Sequence, residues 1–305
     1  MKHLATFRII DAIERTGSIR SAAELISQTP SAVQRRLQSF EEELGFGIFE
    51  RSSKGVRVNA AGELVIHHIR ESLAETERLK SRIADLSGIR RGHVSIGCSQ
   101  ALIPYFLPTQ IVHYQKEFPH VTFDVQVIEH NRAAEMLNSF SVDIVVVFND
   151  QSAPDYDIRL EIPQSLSAIM AMDHPLAKHE EVRLYQCYRY PIVLASRGFG
   201  GRLLLDHALS KKTFPTTPIL QTNSFEYLKA HVAASHAITF QIHIGTPHDT
   251  QDAGIVSRPV NSTDVMSGVL TIGQKRDRTL SVAASRFIEQ ISESLMEQYR
   301  SHTLE

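Results

Sequence analysis

Along the first ninety residues, apolar positions recur three times at helical spacing. Leu4, Phe7, Ile10 and Ile13 predict a helix over 2–16, which Gly17 ends. Ser18 can cap a shorter helix whose Ala22 and Ala23 are small enough for close approach, with Ser27-Gln28 as the turn beyond it. Thr29 caps and Pro30 opens a third helix, since proline suits a first helical position that needs no N–H. In that helix Val33, Leu37, Phe40 and Leu44 are spaced 4, 3 and 4 apart and form one narrow stripe. Ser31, Gln34, Arg35 and Gln38 fall opposite, and Gly45 closes the helix.

The opposite face decides what the helix is for. Hydroxyl, amide and guanidinium groups are the types that reach base edges and phosphate oxygens in a major groove. Two helices joined by a tight turn, the second carrying such a face, predict a helix-turn-helix. The same spacing also suits an ordinary amphipathic helical hairpin. Ile48–Arg51, a turn at 52–55 and Val56–Val58 then read as a β-hairpin, a wing whose Arg51, Lys54 and Arg57 would neutralise phosphates. Asn59 caps a long helix to about Leu86. There Val65, Ile69, Leu73, Thr76, Leu79, Ile83 and Leu86 recur every 3 or 4 residues, as in a coiled-coil seam. Dimerisation through this helix is the expectation, with packing on the chain's own second domain as the alternative.

Beyond a junction at Ser87-Gly88 and Arg90–Gly92 the pattern changes to alternating strands and helices. Strands are expected at 93–98, 122–129 and 143–148, and helices at 104–118 and 132–140. A second set has strands near 192–195, 219–222 and 237–241, helices near 202–211 and 225–235, and a last helix over 280–300. These are βαβ units on a mostly parallel sheet. The domains expected are therefore 1–58, a linker and dimerisation helix with hinge over 59–92, and 93–305.

Composition narrows the partners. With 42% hydrophobic and 22% charged residues among 305, the chain is an ordinary globular one. Its net charge is −2, yet residues 1–92 hold 15 Lys and Arg against 12 Asp and Glu, while the rest holds 17 against 22. The positive surplus thus lies with the candidate DNA surface. Two cysteines, Cys98 and Cys187, are too few for a disulfide framework. The N-terminus lacks a basic region followed by an apolar core, and no apolar run approaches a membrane span. A cytoplasmic protein without a membrane partner is expected.

Residues 1–92 resemble the DNA-binding part of the LysR-type transcriptional regulators. The resemblance rests on Phe7, Gly17-Ser18, Ala22-Ala23, Ser31-Ala32-Val33, Arg35, Glu41, Leu44-Gly45, Phe49-Glu50-Arg51 and Ala61-Gly62. The chain departs from the family pattern at Thr29-Pro30, where Ser-Gln is frequent, and at Gln34, where Ser is usual. It also has Ser235 and Ala237 where two glycines are common. The resemblance implies a winged helix-turn-helix followed by an α/β effector domain of two lobes like those of periplasmic binding proteins. Lobe one would be about 93–163 with 268–305, and lobe two about 164–267. It implies double-stranded DNA as partner, a homodimer or homotetramer, RNA polymerase as a further partner, and a small effector between the lobes.

Ligands of open α/β lobes lie outside the carboxyl ends of strands, near helix N-termini. That rule nominates Cys98, Ser99 and Gln100, then Phe148 and Asn149. In the second lobe it nominates Ser196, Arg197, Arg202, Asn223, Ser224, Phe240 and Gln241. Such a set suits an organic acid or other small polar metabolite. Serine and asparagine at these places equally serve as helix caps. Phe199-Gly200-Gly201-Arg202 lacks the spacing of a phosphate-binding loop.

The rival classes are an α/β enzyme and a cytoplasmic solute-binding protein without DNA binding. His243 and His248 stand in loop composition without helical zinc-site spacing, and no acid or base is tied to Cys98 by a recognised spacing. No catalytic residue, metal or cofactor is therefore expected.

Overall fold

The computed structural model describes residues 2–52, 55–86, 91–149, 155–210, 217–246 and 254–303. The chain forms two compact units, one built from Met1–Ile89 with Asn138–Ser141 and the other from Arg90–Leu137 with Val142–Glu305. The wing residue Lys54 and the loop residue His248 lie outside the described residues, as do the side chains of Arg51, Leu86 and Asn149.

In the first unit, α1 (Lys2–Thr16), α2 (Ile19–Leu25) and α3 (Pro30–Leu44) form at the expected places. Their ends follow from local hydrogen bonding. The Ser18 hydroxyl accepts from Ser21 N at 3.3 Å, that of Thr29 accepts from Ala32 N at 3.3 Å, and Gly45 turns left-handed at φ 82°. Ile9, Ile10, Ile13, Ala22, Ala23, Val33, Leu37 and Ile48 share one core, where close-packed side chains exclude water.

β1 (Phe49–Ser52) and β2 (Gly55–Val58) pair antiparallel. α4 (Ala60–Leu86), 27 residues long, begins where Asn59 Oδ1 accepts from Gly62 N at 2.7 Å. Its apolar stripe has two fates. Ile66 and Ile69 are buried in the unit's own core, with Val65 and Leu73 packed against it, so this half is no seam. Leu79 and Ile83 remain more than half exposed. Arg70 ties α4 to α1 through Asp11 at 2.7 Å and through Glu14.

The second unit holds a five-stranded, a three-stranded and a two-stranded sheet. β3 (Arg91–Cys98), β4 (His120–Val127) and β5 (Ile144–Asn149) run parallel, joined through α5 (Phe106–Glu117) and α6 (Ala133–Asn138). β6 (Asp157–Gln164) and β7 (Leu166–Ala171) follow, β6 at the edge of this five-stranded sheet and β7 in the centre of a second one.

Then come α7 (Leu184–Cys187), β8 (Val193–Ala195), α8 (Gly200–Leu209), β9 (Leu220–Thr222), α9 (Phe225–Ala233), β10 (Thr239–Ile242) and β11 (Ile255–Pro259). β12 (Gly268–Gln274) returns to the first sheet between β5 and β6, and α10 (Val282–Thr303) packs over that sheet's core. β12 is antiparallel to both of its neighbours, and β7 is antiparallel to β10 and β11. The sheets are therefore more mixed than expected. β6, β7, β11 and β12 escape the sequence pattern because they pair with distant segments instead of alternating with helices.

Candidate functional site

The face of α3 opposite its core stripe is the first candidate. Val33 and Leu37 are 0% and 3% exposed, which fixes the rotation of the helix and turns Ser31, Arg35 and Gln38 to solvent. Arg36, which the stripe argument does not single out, is also exposed and adds a second guanidinium beside Arg35. Gln34 is only half exposed, its Nε2 enclosed without a hydrogen-bond partner, so it presents less to solvent than the helical wheel suggests.

The hairpin is positioned by backbone. Val56 N donates to Gly17 O at 2.9 Å, and Glu41 Oε1 accepts from Ile48 N at 2.8 Å, holding the segment between α3 and β1. Gly17 and Gly55 both have positive φ, and a Cβ at Gly55 would stand 2.5 Å from Gly17 O. Arg57 is exposed and sits opposite Glu50 in the ladder.

The second candidate is a cleft in the second unit that encloses about 330 Å³ of space, part of it open to solvent. Strand ends and helix starts build it. Ser99, Gln100 and Ala101 follow β3, Ile128 and Glu129 follow β4, and Phe148 ends β5. From the other sheet come Gly198, Phe199 and Gly201 at the start of α8, Phe225 at the start of α9, and Gln241-Ile242 at the end of β10.

Ser99 Oγ accepts from Phe148 N at 2.9 Å, and Gln241 Oε1 accepts from Ile242 N at 2.9 Å, so both side chains also brace their own strand ends. Gln100 Oε1 is enclosed and unpartnered.

Of the residues nominated from sequence, Ser99, Gln100, Phe148 and Gln241 line this cleft; others do not. Cys98 is corrected to a core residue, fully buried, its thiol pushed up to about 12 by burial. A side chain sealed in the sheet's core cannot meet a ligand.

Arg202 and Phe240 line a neighbouring recess of about 230 Å³ behind Gly201 and are committed to the fold. Arg202, 7% exposed, donates to Asp206 Oδ1 at 2.7 Å, Ala195 O at 2.8 Å and Gln221 Oε1 at 3.1 Å. Phe240 stacks toward Tyr188 at 6.3 Å.

Ser224 caps α9 by accepting from Tyr227 N at 3.2 Å, and Ser196 N donates to Thr222 O at 2.8 Å. Arg197 is 84% exposed on its side chain, and Asn223 is exposed. None of these four lines the cleft. Glu129, Ile128, Phe199 and Phe225 are lining residues that the strand-end rule missed. It names the ends of β3, β5 and β10 but nothing at the end of β4, where Glu129 is the last residue of the strand expected at 122–129, and the rule cannot tell which side chain turns inward.

Ser235 resolves the departure from the two-glycine pattern. Its Oγ donates to His231 O at 2.7 Å and accepts from Ala237 N at 3.2 Å, closing α9 by side-chain bonds in place of a left-handed glycine. Among the described residues, no group of three or more His, Cys, Asp or Glu could hold a metal ion, and no helix is long and apolar enough to cross a membrane.

Comparison with known proteins assigns both units to known domain families. Residues 4–63 match the bacterial regulatory helix-turn-helix model of the lysR family, and residues 87–296 match the LysR substrate binding domain. The chain is 25% identical over 290 residues to the uncharacterised HTH-type transcriptional regulator YbhD of Escherichia coli, covering 94% of this chain and 90% of that one. The fold is similar to full-length OxyR from Pseudomonas aeruginosa, with a TM-score of 0.66, 19% identity, and 96% and 94% of the two chains covered. It is also similar to full-length CbnR solved with its target DNA, with a TM-score of 0.63, 16% identity, and 95% and 99% covered. The relatives are regulators, not enzymes, and this chain belongs to the LysR family of transcriptional regulators.

Proposed function

We propose that this regulator binds duplex DNA through α3 and the wing, and that a small molecule in the cleft of the second unit sets its DNA affinity. The observation that carries the DNA reading is the division of α3 between a buried Val33–Leu37 face and an exposed Ser31–Arg35–Gln38 face. Ser31, Arg35 and Gln38, with Gln34 at the edge, are the base-reading set, while Arg51, Lys54 and Arg57 supply phosphate contacts from the wing. Residues 1–58 are the DNA-binding domain, 59–92 the linker helix and hinge, and 93–305 the effector domain.

Leu79 and Ile83, left exposed on the second half of α4, support pairing of two linker helices in a dimer or a dimer of dimers. Two wings then face one side of the DNA, with half-sites about one helical turn (~34 Å) or a multiple of it apart. The protein acts in the cytoplasm, and RNA polymerase is its downstream partner.

Fluorescence anisotropy with DNA from upstream of the protein's own gene tests the reading. Specific binding with a steep salt dependence is expected; equal affinity for unrelated duplexes at all salt concentrations refutes it. Sedimentation as a monomer at micromolar concentration, with full DNA affinity, refutes the dimer. A ligand changes DNA binding only as far as its affinity differs between two states, so coupling of about 1–3 kcal/mol is expected once an effector is found.

A further inference from the structure

Among the described residues lining the cleft, the one charged side chain is an acid. Glu129 stands just after β4, and opposite it Gly198, at φ +101°, carries no side chain. A Cβ built on Gly198 would lie 3.5 Å from the Glu129 carboxyl carbon, so the two cleft walls approach here with only a carboxylate between them. No hydrogen bond or ion pair to that carboxylate is present among the described residues.

Basic groups nearby are engaged elsewhere. Arg132 feels the charge of Glu129, but its guanidinium donates to Glu135 at 3.3 and 3.1 Å. Arg202 is bound into the fold as described above, and Arg197 stands 3.9 Å from Asp206.

The rest of the lining is aromatic or neutral. Phe148 closes one wall, and Phe199 and Phe225 meet edge to face at 5.5 Å on the other. Gln100 Oε1 is an enclosed acceptor with no donor, and Ser99 Oγ lies beside it in sequence.

Resting on the reading of this cleft as the effector site, we infer that the effector carries a positively charged amine or amidine group, held by Glu129 beside the aromatic rings. An ammonium gains charge-assisted hydrogen bonds from the carboxylate and electrostatic attraction from ring faces. A simple carboxylate in the same place meets a like charge at the cleft wall. This revises the organic acid expected from the strand-end rule, because the arginines that favoured an acid do not line the cleft.

The test uses the full-length protein and two probes of one shape, phenethylammonium and phenylacetate, titrated calorimetrically at neutral pH. Phenethylammonium is expected to bind more tightly than phenylacetate. Glu129→Gln should weaken it about tenfold, the effect of one charged hydrogen bond moderated by solvent. Glu129→Lys should reverse the preference between the two probes. Glu129 is exposed, so both variants should melt as the native protein does.

Tighter binding of phenylacetate, unchanged phenethylammonium binding in Glu129→Gln, or no phenethylammonium binding at millimolar concentration overturns the inference. Phe199→Leu separates this failure from that of the cleft itself. If it weakens the probes while Glu129→Gln does not, the cleft stands and the charge preference falls. If neither variant alters the binding of any probe, the site lies elsewhere and both readings fall.

Discussion

Replacing Arg202 with alanine distinguishes a ligand contact from a strut, and the structure sets the size of the effect. The guanidinium is buried against Ala195 O, Gln221 and Asp206, so its removal leaves a buried carbonyl without its donor. An orphaned buried acceptor costs about 1–3 kcal/mol. Loss of the pair with Asp206 adds less than a buried pair would, since the Asp206 side chain is 35% exposed and solvent screens it. A total of about 2–4 kcal/mol follows, which in a unit of roughly 200 residues lowers the melting temperature by about 10 °C.

The chain has no tryptophan, so far-ultraviolet circular dichroism or calorimetry is the suitable probe. The transition of the second unit should fall while the DNA-binding unit melts unchanged and the variant still binds DNA at low temperature. An unchanged melting temperature together with a lost response to an effector would refute the argument and return Arg202 to the ligand.

Arg35→Ala should cost about 1–3 kcal/mol in DNA affinity, confined to sequences carrying the base it reads, with no change in melting; uniform loss across all sequences would make it a phosphate contact. Gly55→Ala should destabilise the DNA-binding unit by about 2 kcal/mol or more, because its Cβ meets Gly17 O and its φ of +121° disfavours a side chain; an unaltered urea midpoint would contradict this. Cys98 and Cys187, both held up to about 12 by burial, should stay silent to a thiol reagent until the protein unfolds. The unfolded chain loses these protons from about pH 8.5 while the folded protein keeps them, so the thiols' contribution makes stability fall as pH rises from there toward 12; stability that rises over this window would refute their burial.

Local signals carried the sequence reading furthest where local physics decides the structure. Thr29, Pro30 and Gly45 bound α3 because caps need only neighbouring backbone, and the Val33–Leu44 stripe set its rotation. The seam on α4 is legible as apolar periodicity, but periodicity does not say which partner covers it, and Val65, Ile69 and Leu73 serve their own domain. In the second unit, β3, β4 and β5 alternate with helices and could be placed, whereas β12 reaches back to β5 across more than a hundred residues. The cleft suffered from the same limit. Strand ends were placed, yet Arg202 turned inward to bind Ala195 O, and Glu129 came to face Gly198 from another part of the chain. Such pairings are tertiary facts with no trace in spacing.

The junction of Gly17 and Gly55 bears on how this regulator could change its targets over evolutionary time. The wing is registered on the helical domain by main-chain atoms, Val56 N on Gly17 O, without help from the residues that would touch DNA. If the exposed Ser31, Arg35 and Gln38 read DNA as proposed, substitutions among them would rewrite the address without disturbing the frame that holds it. The two glycines are the reverse: they carry no side chain to read a base, and they are the least editable letters of the domain.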